Sequence, residues 1–230
     1  MTPERAEQLI WMRPERARAG RPAQRSRAEI TAAAIAIADA EGLDAVSMRR
    51  VAADLGTGAA SLYRYVETRE DLLDLMADAT GAEQTFAPPS GDWLTDLVAV
   101  GEQTRVIMRR HRWLAGLIFT RPVLGPNGLV LIEHVLEILA GHPADIPAKL
   151  EAFAMLTSVT AAFVQHENAG GPAVQQRHTE YLIHAVTSGA HPRLAELLAD
   201  ATPPPADPAD RYADRYADIL RKVLAGLLGC

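Results

Sequence analysis

The sequence predicts an all-α protein in two parts, a three-helix N-terminal headpiece and a larger helical domain. Three observations carry this. Apolar residues recur at intervals of three and four along most of the chain, the period of a helix face. Glycine and proline clusters cut these stripes into helix-length segments. Residues 47–73 carry two short apolar stripes around a central glycine, the pattern of a helix-turn-helix.

In order along the chain, residues 1–25 read as a flexible basic arm, 26–73 as the headpiece and 74–230 as the larger domain. Arginines at 13, 16, 18, 21, 25 and 27, punctuated by Pro14, Gly20 and Pro22, suit an arm that tracks phosphates or enters a minor groove. Glu4, Glu7 and Glu15, with no apolar run beside them, argue against an export signal. The first helix puts Ile30, Ala34, Ile37 and Ala38 on one face and stops at Gly42. Ser47 caps the next, where Val51 and Leu55 share a face and small Ala52 admits a neighbouring helix closely. Gly56 marks the stop, at a position where the backbone calls for positive φ. Leu62 of the following helix packs back on Val51 and Leu55. The exposed remainder of that helix carries Thr57, Ser61, Tyr63, Arg64 and Tyr65, with Arg69 just beyond, a set of hydroxyls and guanidiniums suited to phosphates and base edges. Small Gly58, Ala59 and Ala60 let its N-terminus enter a major groove.

A fourth helix runs from Arg69 to about Gln84, and Ala87-Pro88-Pro89-Ser90-Gly91 breaks the chain before a helix near Asp92. There the helical period resumes through Trp93, Leu97, Val100, Thr104 and Ile107. A short apolar segment follows from His111-Arg112-Trp113 to Arg121-Pro122. Further helices span about 126–140, 144–168 and 172–188, separated by Gly141-His142-Pro143 and Gly170-Gly171-Pro172. A proline-rich loop at 202–208 precedes a last helix whose stripe, Tyr212, Tyr216, Ile219, Leu220, Val223, Leu224, Leu227 and Leu228, is too apolar for a free surface. It either closes its own core or joins the 144–168 helix in a subunit interface.

Composition narrows the function. The first 28 residues hold seven arginines and three glutamates, a net of +4, against 16 basic and 26 acidic residues in the remainder, a net of −10. DNA binding by so acidic a chain has to be local. The single cysteine, Cys230, excludes an internal disulfide and a cysteine-based zinc site and is compatible with a cytoplasmic protein. The most apolar patch, Leu114 to Phe119, is too short to span a membrane and gives way to Arg121, so the expectation is a soluble protein. No His-Glu-x-x-His pair, glycine-rich phosphate loop or nucleophile elbow occurs. The densest histidine cluster, His166-Glu167 near His178 and His184, lacks ligand spacing, which predicts no catalysis, no cofactor and no metal.

From Leu62 to Val66 the chain reads Leu-Tyr-Arg-Tyr-Val, then Arg69, then Leu72-Leu73 opening a fourth helix; this ordered set resembles the tetracycline-repressor (TetR) family. By that resemblance Arg49 and Ser61 fall where family members touch bases, and Tyr63, Tyr65 and Arg69 where they touch phosphates. Ser47, at the front of the motif, is counted with this face. Met48 replaces a family threonine, Arg69 a family lysine, and Gly58, Ala59 and Ala60 lack side chains that some relatives use for readout. His111-Arg112, Thr120-Arg121-Pro122 and the helix from Leu129 to Leu139 resemble the tetracycline-repressor subgroup. Leu117 stands where that repressor has a metal-coordinating histidine, which argues against a tetracycline–magnesium chelate as ligand. The apolar neighbours Leu114 and Ile118 instead suggest a pocket for a hydrophobic or aromatic molecule, with Met108, Trp113, Leu117, Phe119, Arg121 and Phe163 as candidate ligand contacts.

The resemblance implies a homodimer, built by packing two helices from each subunit into a four-helix bundle. It would bind a palindromic operator on double-stranded DNA, block transcription, and be released by a small-molecule effector. A helical sequestering protein without a DNA role, and an activator of the same fold, are the other readings the sequence allows.

Overall fold

The computed structural model describes residues 9–13, 25–121, 124–168, 172–199 and 208–229. Eleven α-helices appear among them, with no strand: α1 Arg27–Glu41, α2 Met48–Asp54, α3 Ala59–Leu62, α4 Arg69–Gly81, α5 Trp93–Arg110, α6 Arg112–Thr120, α7 Pro126–Ile138, α8 Ile146–Asn168, α9 Pro172–Thr187, α10 Pro192–Ala199 and α11 Pro208–Leu228. Short 3₁₀ turns lie at Ile10–Met12 and Leu43–Ala45.

The helix starts are written in the sequence as caps. Ser26 and Glu29 close a capping box on α1, Thr68 and Asp71 close another on α4, and the Ser47 hydroxyl accepts from the Arg50 amide. Asp92 caps α5, and hydrogen bonds from Thr95 hold its carboxyl below the usual range. Between α2 and α3 the chain reverses through Gly56 at φ 63°, and the Thr57 amide donates back to Ala52 O at 2.9 Å. An L side chain is strained in that left-handed conformation. Gly56→Ala is therefore expected to destabilise the protein by about 1–2 kcal/mol, read as a lowered Tm; an unchanged Tm would show that the turn relaxes.

Two apolar clusters organise the molecule. The first begins in the headpiece with Ile30, Ile37, Val51 and Leu62, passes along α4 through Leu72 and Met76, and continues into Met108, Leu114 and Val164 of the larger domain. The second joins α5, α7, α8 and α11 around Leu97, Leu139, Leu156, Tyr216, Leu220 and Leu224. The expected division at residues 73/74 thus falls inside one continuous helix with a shared core.

Tyr216, Leu220 and Leu224 are fully buried in their own chain, so that part of the α11 stripe closes the domain's own core, whereas Leu227 faces out. The Tyr212 side chain lies outside the described residues. Contrary to the expectation that no segment approaches a membrane span, α8 is long and apolar enough for one by length and composition. It packs instead against α5, α6 and α11, and leaves apolar Leu150 and Met155 exposed on the other side.

The basic arm is corrected where it is described. Ile10 is buried; Arg13, 7% exposed, bonds Asp71 at 2.8 Å; and Arg27 donates to the carbonyls of Ile10, Arg13 and Tyr65. Trp11 lies so close to Gly125 that a Cβ there would come within 1.9 Å of the indole nitrogen. Arg13, Arg25 and Arg27 are spent holding the N-terminal segment and α1 in place, because buried carboxylates and free carbonyls bind a guanidinium better than solvent does. The arginines at 16, 18 and 21 lie outside the described residues.

Candidate functional site

The helix-turn-helix presents a compact polar front. α3 is one turn long, anchored by fully buried Leu62 and Val66. Gly58 precedes it, exposed, and Ala59 and Ala60 form its first turn with no side chain beyond Cβ to hold another surface away. Thr57 and Ser61 share a hydrogen bond at 2.9 Å across its start, and Ser61 also donates to Gly58 O at 2.7 Å. Both hydroxyls sit at the helix N-terminus, where backbone N–H groups favour anions. Tyr63 is 49% exposed, and Arg64 and Arg49 stand exposed beside it. Arg50, by contrast, pairs with Glu41 at 2.6 Å and Asp54 at 3.9 Å.

Two of the expected phosphate contacts are engaged within the headpiece. Tyr65 is only 8% exposed and belongs to the headpiece core, because it falls three residues after Leu62, on the inward face of the turn. The Arg69 guanidinium donates to Val46 O at 3.1 Å and Leu43 O at 3.2 Å, tying α4 to the 3₁₀ turn before α2. Ser47 likewise spends its hydroxyl on its own helix. The outward side of the helix-turn-helix thus carries Arg49, Thr57, Ser61, Tyr63 and Arg64.

A cavity of about 300 Å³ opens in the larger domain among α4, α5, α6, α7 and α8. Ile107, Met108, Leu114, Ile118, Leu131 and Phe153 supply apolar wall; Thr80, Gln84, Thr104, Thr157 and Ser158 supply polar atoms. Among the described residues no lysine or arginine lines it. Its one carboxylate, Asp78, accepts from the Asn127 and Gly128 amides at 3.0 Å and so caps α7. Of the six sequence-picked ligand contacts, only Met108 lines this cavity. Leu117 is packed in the first cluster and Phe163 stacks edge-on against Tyr216 in the second. Phe119 faces solvent, Arg121 pairs with Asp74 at 2.9 Å, and Trp113 donates to Asp39 of α1 at 2.7 Å. The sequence missed the cavity because small residues make it: Ala77, Gly81, Gly128 and Ala154 leave the space that larger side chains surround. Among the described residues no group of three histidine, cysteine or carboxylate side chains is arranged to hold a metal ion.

A helix-turn-helix on one end of an all-helical body with an apolar cavity defines a two-part regulator of the helix-turn-helix class. The family model described as bacterial regulatory proteins, tetR family, matches residues 30–76, and that described as tetracyclin repressor-like, C-terminal domain, matches residues 85–229. The chain belongs to the tetR family of bacterial regulatory proteins. It is 38% identical over 151 residues, 65% of its length, to the transcriptional repressor DrrR1 of Streptomyces coeruleorubidus, and spans 56% of that protein. It is 35% identical over 74% of its length to an HTH-type transcriptional regulator of Saccharopolyspora erythraea, of which it spans 75%. Among solved structures, apo ActR from Streptomyces coelicolor superposes with a TM-score of 0.76 at 29% identity, over 92% of this chain and 99% of that one. ActR in complex with actinorhodin gives 0.73 at 29% identity, over 89% and 98%.

Proposed function

We propose that this protein is a ligand-responsive transcriptional repressor that binds a palindromic operator as a homodimer in the cytoplasm and is released by an apolar, aromatic small molecule. The observation that carries the reading is the double duty of α4. Leu72, Leu73 and Met76 pack it into the headpiece, while Ala77, Asp78, Thr80 and Gly81 of the same helix line the cavity. A ligand that changes the seat of α4 thereby changes the seat of the reading face, to the extent that it binds the two arrangements unequally. The cavity walls favour a neutral ring system carrying hydroxyl or carbonyl oxygens, since threonine, serine and glutamine can answer those groups and the described lining holds no cation for an anion. ActR, crystallised with actinorhodin, supports a small-molecule ligand for a protein of this fold.

The outward apolar residues of α8 and Leu227 of α11 support pairing of two copies through these helices. Two-fold symmetry would set the reading faces about 34–36 Å apart, one turn of DNA. Selection of bound genomic fragments by the purified protein, followed by footprinting over a salt series, tests the DNA reading: a protected palindrome is expected, and weak sequence-independent retention would overturn it. Ala154→Trp tests the ligand reading. Ala154 lines the cavity yet is exposed, so an indole there obstructs the space without repacking the core. Operator affinity is expected to stay within about twofold of wild type, while the about 5- to 150-fold weakening by effector disappears; retained induction would place the ligand elsewhere.

A further inference from the structure

Most of the polar residues that line the cavity have already spent their hydrogens. The Thr80 hydroxyl donates to Ala77 O at 2.7 Å, that of Thr104 to Val100 O at 2.9 Å and that of Thr157 to Phe153 O at 3.1 Å. A hydroxyl carries one hydrogen and a carbonyl can only accept, so these three oxygens are left with lone pairs alone. Gln84, 7% exposed, donates from Nε2 to the same Val100 carbonyl at 3.3 Å, which fixes the orientation of its amide. Its Oε1 accepts no hydrogen bond among the described residues. The Asp78 oxygens accept from Asn127 and Gly128 and give nothing. Ser158 and the second hydrogen of the Gln84 amide are the donors that remain among the described side chains of the lining.

We propose that the cavity chooses its effector by hydrogen-bond donors: it takes ring systems bearing phenolic O–H or amine N–H in preference to the corresponding carbonyl, ether or halogen compounds. Of a hydroquinone and its quinone, the reduced member is then the effector. The inference rests on the repressor reading above and narrows it from any oxygenated ring to one that gives hydrogens. An incoming O–H adds a bond to a waiting lone pair on Thr80, Thr104, Thr157 or Gln84 and breaks none. An incoming carbonyl brings lone pairs to lone pairs. A threonine can serve it only by withdrawing the hydrogen from its own helix, so no bond is gained. Gln84 and Thr104 weigh most, because both give a hydrogen to one carbonyl, Val100 O, and so leave two unpaired acceptors on one stretch of wall. A site that offers partners to a ligand's donors rejects the analogue lacking them far more strongly than an apolar wall rejects by size.

The test is equilibrium dialysis of the purified protein against four probes: naphthalene-2,6-diol, naphthalene-2,6-diamine, 2,6-difluoronaphthalene and 9,10-anthraquinone. The diol and the diamine are expected to bind about tenfold or more tighter than the other two. Apolar partition alone ranks the four the other way, since the fluorinated ring and the quinone leave water more readily. Equal affinities, or the reversed order, overturn the inference and leave the repressor reading standing. Gln84→Met with Thr104→Val nearly keeps the volumes and removes both acceptors; in this variant, checked as folded by its Tm, the preference is expected to shrink to within about threefold. An undiminished preference there overturns the assignment to these residues, and the wild-type ranking decides the donor rule whether or not the variant folds. Ala154→Trp is expected to abolish binding of the diol. Binding retained in that variant, or no binding of any probe to wild type, defeats the reading of the cavity as the seat of an aromatic effector, and the inference falls with it.

Discussion

Replacing Arg49 and Tyr63 together by alanine is expected to weaken operator binding by about 100-fold or more, with dimerisation and effector affinity unchanged. Arg49 is exposed and unpaired among the described residues, while its neighbour Arg50 is tied to Glu41. A guanidinium placed bidentate on a guanine edge is worth about 1–3 kcal/mol of discrimination, and an exposed tyrosine at the end of α3 adds a hydroxyl for the backbone. Neither side chain packs in the core, so the loss should come without a change in Tm. The two contributions separate by titration: removal of the arginine should relax sequence preference, whereas removal of the tyrosine should weaken all sequences alike. Anisotropy with a selected and a scrambled duplex measures both. Less than about fivefold loss for the double variant would remove this face from the interface.

Glu167→Ala is expected to destabilise the larger domain by about 3–5 kcal/mol. Arg105 of α5 is 7% exposed, pairs with Glu167 of α8, and lies over the Tyr216 ring of α11 at 5.1 Å. Removing the carboxylate strands a buried guanidinium, and the cost of that stranded charge exceeds what the pair contributes. Below it, the Tyr216 hydroxyl bonds Thr160 at 2.6 Å, and burial pushes the phenol far above its usual range, so it remains a neutral partner. Urea unfolding measures the effect. The double change Arg105→Met with Glu167→Leu should recover most of the lost stability, because an apolar pair of similar volume carries no desolvation cost. A loss below about 1 kcal/mol in the single variant would mean that water reaches the guanidinium.

Local chemistry was legible in the sequence, and long-range geometry was not. Ser26, Ser47 and Thr68 announce their helices because a cap acts within three residues of its own position; the family follows from the motif at 47–73, and the all-helical fold from the apolar period along the chain. Tyr65 carried a readable signal that its hydroxyl obscured: Leu62, Tyr65 and Val66 share a helix face, and the period points the ring inward. Arg69 carried none, since its acceptors are carbonyls 23 and 26 residues away. Helix α10 follows Pro192 and went unread, because an eight-residue helix leaves too short a stripe to stand out. The cavity was hidden for a related reason. Large apolar residues advertise themselves, whereas the alanines and glycines that leave space do not, and His111 meets Asp39 across 72 positions.

The apolar cluster that runs unbroken from α1 through α4 into α6 and α8 bears on how such proteins can be recombined. Grafting this headpiece onto another member's body at residue 73 would cut through a helix and leave Met76 and Ala77 facing foreign partners. A working chimera would have to carry α4 whole, together with the α6 residues packed on it. Heredity of DNA preference and heredity of effector choice are thereby mechanically entangled: a drifting cavity perturbs the same helix that seats the reading face, and one cannot wander far without the other.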